Sequence, residues 1–269
     1  MDVTNLQYIS LDRNDHVTVI TLRRPDKLNA LTREMTEELH NVLDQVSREF
    51  PATRAIVLVG SGRGFCSGAD VADISQRLHE DPTTKPSRQS TAPSDIMRLA
   101  PHIREIPQPV IAAVNGVAAG AGLGIALSCD IRIGSEAARF TSVFVKRSLV
   151  PDAGVSQLLG ALVGPGIASE MALTGNIYDS RWALEKGLLN EIVPGHGLLK
   201  RAESLAQDIA ANPPLAVKAT KQLMNSHYAN LRDIIELEHS ANEVVRGTAD
   251  QKEAVQAFLE KRKPNFTGR

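Results

Sequence analysis

Residues 110–129, VIAAVNGVAAGAGLGIALSC, decide the fold. The run is uncharged over about the length that crosses a bilayer. Gly116, Gly120 and Gly124 fall four apart, the spacing at which membrane helices pack. Pro109 before it and Asn115-Gly116 within it break that reading. It reads instead as a buried strand from Pro109 to Val114, a turn at Asn115-Gly116, and a small-residue helix from about Gly120 to Ser128. Strand and helix are both continuously apolar, which follows if both faces of each are covered.

Working outward, YISLD and HVTVITL flank the polar loop RND and predict a hairpin. Thr32 is placed to cap a helix carrying Met35, Leu39, Val42, Leu43 and Val46 at helical spacing. AIVLVG (55–60) predicts a short buried strand, and the polar residues from about His79 to Pro93 a mobile loop. DIRIG adds a strand after the small-residue helix. This alternation predicts an α/β fold with parallel strands joined by helical crossovers. Beyond about residue 154 the pattern turns helical, interrupted by the strand LLNEIV, and from Pro213 onward it is helical with a break at Gly247. The expected organisation is an α/β core over residues 1–200 and a helical region over 201–269.

Composition limits function. The 269 residues are 42% hydrophobic and 23% charged with net charge −1, which offers no electrostatic reason for binding nucleic acid or an anionic membrane. Two cysteines, Cys66 and Cys129, are too few for a disulfide scaffold and point to a reducing, cytoplasmic setting. The opening MDVTNLQYIS does not resemble a signal or transit peptide. The seven histidines show no metal-ligand spacing, so no metal is expected.

GSGRGFCSGAD (60–70) and GVAAGAGLG (116–124) invite a nucleotide reading and fail it. The third glycine of a dinucleotide fingerprint falls on Phe65, Ser67 or Ile125, and no Gly-Lys-Ser/Thr triplet occurs. Two readings remain: tight turns with close helix packing, or backbone N–H groups presented to an oxyanion near a helix start.

RPDKLNAL, GRGFCSGADV, PVIAAVNGVAAGAGLGIALSCDIRI, LVPDAGVSQLL, TGNIYDSRWALEKGLLNEIV and EAVQAFLEKRKPNF follow one another in the order seen in crotonases. Over essentially its whole length the chain resembles the enoyl-CoA hydratase/isomerase superfamily. That resemblance implies a crotonase (ClpP-like) fold of repeated ββα units forming a spiral core, with a helical C-terminal trimerisation region. It implies an acyl-CoA thioester as substrate, no cofactor beyond the coenzyme A of that thioester, and a homotrimer or hexamer. It assigns an oxyanion hole to the N–H groups of Ala69 and Ala121. Fixed donors there favour a transition state in which charge grows on the thioester oxygen. It assigns coenzyme A contacts to Lys27, Leu28 and Ala30, with Arg24 also a candidate, to Asp70 and Val71, and to Phe258 and Lys261 near the C-terminus. Read from the residues alone, Lys27 and Lys261 are also compatible with solvated surface, and Phe258 with packing beside Val255 and Leu259.

Hydratases of this family use two glutamates, and the matching positions here are Gly124 and Phe144. Water addition needs a base and an acid held together, and neither residue moves a proton. Asp152 remains, at a position that matches the aspartate of dienoyl-CoA and oxepin-CoA-forming isomerases. Two readings of Asp152 stand: an N-cap for the helix that follows, or a base whose pKa rises among Phe144, Val150 and Leu158. Asp70, Asp130 and His102 carry structural readings. The expected function is enoyl-CoA isomerisation with Asp152 as the single base. The alternatives are a hydratase, hydrolase or dehalogenase-like acyl-CoA enzyme, or a catalytically silent acyl-CoA-binding subunit.

Overall fold

A computed structural model describes residues 6–73, 94–225 and 231–266. The strands are β1 (Ile9–Asn14), β2 (Val17–Leu22), β3 (Ala55–Gly60), β4 (Gly64–Cys66), β5 (Val110–Val114), β6 (Val117–Ala119), β7 (Ile131–Ser135), β8 (Arg139–Thr141), β9 (Tyr178–Asp179) and β10 (Glu191–Val193). The described helices are α1 (Arg33–Arg48), α2 (Asp95–Glu105), α3 (Ala121–Ser128), α4 (Val155–Val163), α5 (Pro165–Thr174), α6 (Ser180–Glu185), α7 (Leu198–Ala210), α8 (Pro214–Asn225), α9 (Leu231–Val245) and α10 (Ala249–Leu259). The expected loop at 79–93 lies outside the described residues.

Two sheets share the chain. One has the order β1-β2-β3-β5-β7-β10 and the other β4-β6-β8-β9. After the β1–β2 hairpin the chain steps repeatedly from the large sheet to the small one: β3 to β4, β5 to β6 then α3, β7 to β8 then α4. These steps are the repeated ββα units that the sequence resemblance implies. Pairings β2–β3, β3–β5, β5–β7 and β7–β10 are parallel. Alternation along β3 shows why its sequence is apolar throughout. Ile56 and Leu58 join the core beneath α1 and α2, while Ala55, Val57 and Val59 pack under Ala202, Ala206 and Ala210 of α7. With helices on both faces, neither set of positions tolerates polar residues.

The decisive stretch 110–129 divides into β5, a turn, β6 and the eight-residue α3. No helix among the described residues is long and apolar enough to cross a membrane. Some boundaries shift from the sequence reading. The hairpin turn lies at Asp15-His16 rather than across Arg13–Asp15, because β1 pairs out to Asn14. The strand expected at LLNEIV is confined to Glu191–Val193, while Leu188 and Leu189 are buried in the core. Residue 200 falls inside α7.

Candidate active site

Residues 24–31 and 67–70 are zipped together. The Leu31 N–H donates to the Gly68 carbonyl (2.8 Å), the Asp70 N–H to Leu31 (2.9 Å) and the Ser67 N–H to Leu28 (3.0 Å). Arg24 braces this pair: Nη2 meets Asp70 Oδ2 at 2.9 Å and Nη1 donates to the Ala30 carbonyl at 2.5 Å. The second oxygen of Asp70 accepts the Ala72 N–H (3.0 Å). The carboxylate is thereby committed to the turn, as its structural reading requires. Leu28 and Asn29 both take left-handed φ, 49° and 55°. Asn29, fully buried, holds that turn: Nδ2 donates to the carbonyls of Ser61 (3.0 Å) and Gly64 (2.8 Å), and Oδ1 accepts the Arg24 N–H (2.8 Å). Sequence reasoning did not single out Asn29. Its one local signal is that asparagine tolerates left-handed backbone better than other side chains.

The two N–H groups singled out by resemblance lie on main chains in contact. Gly68 has φ +91°, and a β-carbon there would stand 2.7 Å from the Ala119 carbonyl oxygen and 3.4 Å from the Ala121 nitrogen. Only glycine permits that approach. Ala121 is the first residue of α3, so its N–H is one of those a helix leaves without an intrahelical partner. The edge of the Phe144 ring lies close to Gly120, immediately before it.

Asp152 reaches this region through α3. Gly124, one turn beyond Ala121, lies against the Asp152 turn so closely that a β-carbon would fall 2.5 Å from the Ala153 carbonyl oxygen. Ala153 and Gly154 are both left-handed, φ 53° and 78°. Gly154 is enclosed by Ala100, Leu158 and Leu231. Asp152 does not cap the helix that follows. The N-cap of α4 is Gly154, with no side-chain cap bond of its own. The residue is half-buried, but Oδ1 is sealed from solvent without a hydrogen-bond partner. Burial, and secondly the nearby Glu238 charge, push its carboxyl up to about 8.

Glu238, absent from the sequence reading, answers the helix donors instead. Oε2 accepts the Gly154 N–H (2.9 Å), and Oε1 accepts the Ser156 N–H (3.0 Å) and hydroxyl (2.5 Å). Burial raises the pKa of Glu238 as well, but these three hydrogen bonds oppose the shift. Hydrogen bonds to an anion favour the charged form, and the Glu238 charge in turn helps to raise Asp152. No local pattern points to it, since its partners lie 82 and 84 residues away.

The remaining candidates lie around this centre. Lys27 is exposed at the mouth of the 24–31 turn, and Val71 is half-buried after Asp70. Phe258 is 45% exposed rather than packed in the core, with the Arg147 guanidinium 4.1 Å from its ring centroid. Lys261 is exposed just beyond it. No described hydrogen bond or ion pair joins Phe258 or Lys261 to residues 24–31. His102 is engaged elsewhere, with His40 (2.7 Å) and Asp44 (3.1 Å). Asp130 pairs with buried Lys221 at 3.0 Å. A separate groove of about 400 Å³ between α2 and α8 is lined by Arg104, Lys218, Lys221 and Arg232 and includes none of the site residues. Among the described residues no cluster of three or more His, Cys, Asp or Glu side chains could hold a metal ion.

Known proteins resemble this chain over nearly its whole length. A family model described as enoyl-CoA hydratase/isomerase matches residues 12–269. The 1,2-epoxyphenylacetyl-CoA isomerase of Escherichia coli (strain K12) is 38% identical over 255 residues, covering 94% of this chain and 95% of its own. The short-chain-enoyl-CoA hydratase of Clostridium acetobutylicum is 34% identical over 260 residues, covering 96% and 97%. The crystal structure of an enoyl-CoA hydratase from Mycobacterium avium subsp. paratuberculosis K-10 matches with a TM-score of 0.85 at 30% identity, over 98% of this chain and 100% of that one.

Proposed function

We propose a function from one premise: this chain belongs to the enoyl-CoA hydratase/isomerase family. Within it the chain is an enoyl-CoA isomerase that moves a double bond between positions 3 and 2 of an acyl-CoA thioester. The N–H groups of Ala69 and Ala121 hold the thioester oxygen. Ionised Asp152 removes a proton from C2 of the 3-enoyl ester, and the electron pair moves through the carbonyl onto that oxygen. The resulting carboxylic acid returns the proton at C4, leaving the 2-enoyl ester. No water is added, and one side chain serves as base and then acid. Amides aimed at the developing oxyanion need no reorganisation during the step.

The observation that carries this reading is the contact of Gly124 with Ala153. A side chain at 124, where a hydratase of this family carries a glutamate, would collide with the main chain of the Asp152 turn. Phe144 fills the other glutamate position. The turn bearing Asp152 therefore stands where the first of those side chains would begin. The test is Asp152→Asn, assayed on 3-enoyl, 2-enoyl, dienoyl and aryl-CoA esters with product identification. Isomerisation should fall by about 10²–10⁴. Full turnover by the variant, or a hydrated product from the parent enzyme, would refute the reading.

The lining of the coenzyme A site is proposed to be Lys27, Leu28, Ala30 and Val71, with Phe258 and Lys261 added from the C-terminal region and Arg24 and Asp70 bracing the turn. The enzyme is proposed to act as a homotrimer or hexamer. Exposed Leu223 and Met224 on α8 and Leu237 and Val244 on α9 support self-association. The two buried, free thiols are consistent with a reducing cytoplasm.

A further inference from the structure

Two side chains of α9 bracket Asp152. Glu238 accepts hydrogen bonds from Gly154 and Ser156. One helical turn on, Asn242 binds both main-chain groups of Val150: Oδ1 accepts its N–H (3.2 Å) and Nδ2 donates to its carbonyl (3.4 Å). The clamped residues thus lie two positions before Asp152 and two and four after it. Glu238 and Asn242 are 4% and 5% exposed, and the bond to the Gly154 N–H is buried away from competing water. Between them the backbone makes two consecutive left-handed steps, one at a non-glycine residue, Ala153. Such a conformation persists only where its surroundings over-determine it.

Local capping would have served α4 alone. Thr32, Asp179 and Thr248 cap α1, α6 and α10 from the adjoining backbone position. The α4 helix instead begins at Gly154 and draws its acceptor from a distant buried carboxylate. Burying a charge is costly unless it is fully hydrogen-bonded, and Glu238 satisfies three donors. With the cap supplied from α9, the carboxyl of Asp152 is free of a structural task.

We propose that Glu238, assisted by Asn242, is a positioning residue that holds the 150–156 turn so that Asp152 faces the Ala69 and Ala121 amides. This rests on the reading of Asp152 as the base. The Glu238 charge has a second effect, since it disfavours ionisation of Asp152. The elements packed around the turn carry other ionisable groups: Asp95, Arg98, His102, Arg104 and Glu105 on α2, Lys146 and Arg147 in the 3-10 turn Val143–Arg147, and Arg232, Asp233, Glu236, His239 and Glu243 on α9. The helices α3 and α4 carry none, and the neighbouring charge that raises Asp152 is that of Glu238.

The test compares Glu238→Gln and Ser156→Ala with the parent and with Asp152→Asn on a 3-enoyl-CoA ester. Glutamine keeps the shape but turns an N–H donor toward backbone N–H donors. Glu238→Gln should lower kcat at least tenfold with KM within about twofold, and the pH at which kcat rises should move downward. Ser156→Ala removes one exposed hydroxyl and leaves the core intact, so it should lower kcat severalfold at unchanged KM even if the glutamine variant fails to fold. Unchanged kcat in Ser156→Ala, or a Glu238→Gln enzyme with parental kcat and pH profile, overturns the proposal. If Asp152→Asn is inactive while these variants are not, positioning alone is wrong. If Asp152→Asn is fully active, the reading of the base itself falls.

Discussion

The proposed reaction rests on a single carboxyl with a sealed, unpartnered oxygen. Asp152 is pushed up to about 8, first by burial and second by Glu238. As a base it must be ionised, so kcat/KM should rise with pH and level off above about 8, and Asp152→Asn should abolish that limb. Linkage gives the matching stability signature. The folded pKa lies above the ordinary 3.8, so the native state binds more protons than the unfolded chain between about pH 4 and pH 8 and loses stability as pH rises through that window. Above it the penalty is fully developed, and Asp152→Asn should melt higher than the parent there, while the two should converge near pH 4. Gly124 permits a second prediction. Gly124→Glu, which rebuilds the family's glutamate, should not create a hydratase. Its β-carbon meets the Ala153 carbonyl oxygen, and overpacking of this kind destabilises by about 1–3 kcal/mol. Isomerisation should fall as the Asp152 turn is displaced, and gain of hydration activity would contradict this account. The sequence allowed Asp152, Gly124 and Phe144 to be singled out because family motifs fix their positions. It left Glu238 invisible, because a charged residue on an amphipathic helix looks the same whether it faces solvent or a turn 84 residues away.

At the scale of elements, periodicity was enough wherever an element was long enough to repeat it. The α1 helix shows its apolar stripe and its Thr32 cap, with the Met35 N–H donating to Oγ1 at 3.3 Å. The strands β3 and β5 are apolar on both faces for the reason their sequences suggest. By contrast, β4, β6 and β8 have three residues each and β9 has two. They exist because neighbouring turns bring them into one ladder, which no window of their own residues encodes. The 24–31 turn is similar, since its shape depends on what Asn29 reaches across 32 and 35 residues. Asn29→Ala would leave the Arg24 N–H without its side-chain acceptor, the buried Gly64 carbonyl with Asn115 as its remaining described side-chain donor, and alanine in the left-handed region. Unmet buried groups cost about 1–3 kcal/mol each. The variant should therefore lose about 2–3 kcal/mol in denaturant unfolding. The same turn carries the proposed coenzyme A contacts and is zipped to Gly68–Asp70, so KM for the thioester should rise as well. An unfolding midpoint equal to that of the parent would show that the turn is held by other means.

Across the whole molecule, α9 joins the site to the surface. One face of the helix buries Leu231, Ile235, Glu238, His239 and Asn242, while the other leaves Leu237 65% and Val244 78% exposed. Large apolar side chains that open to water on a helix whose opposite face is fully packed are suited to an interface. Family membership makes a second copy of this chain the proposed occupant. If so, assembly and catalysis are coupled, because the helix that partner copies would press upon also clamps Val150 and Gly154 around Asp152. Val244→Glu places a charge on the outer face without touching Glu238 or Asn242. Burying an unpaired charge in an interface is strongly unfavourable, so light scattering should show the variant shifted from the trimer or hexamer proposed for the parent toward monomer. The kcat of the variant should fall with its mass and recover at protein concentrations that restore assembly, since the loss arises from ordering of α9 and not from the site itself. A parent enzyme that is monomeric at assay concentration, or a monomeric variant with full kcat, would separate the two and leave α9 to hold the Asp152 turn by its buried face alone.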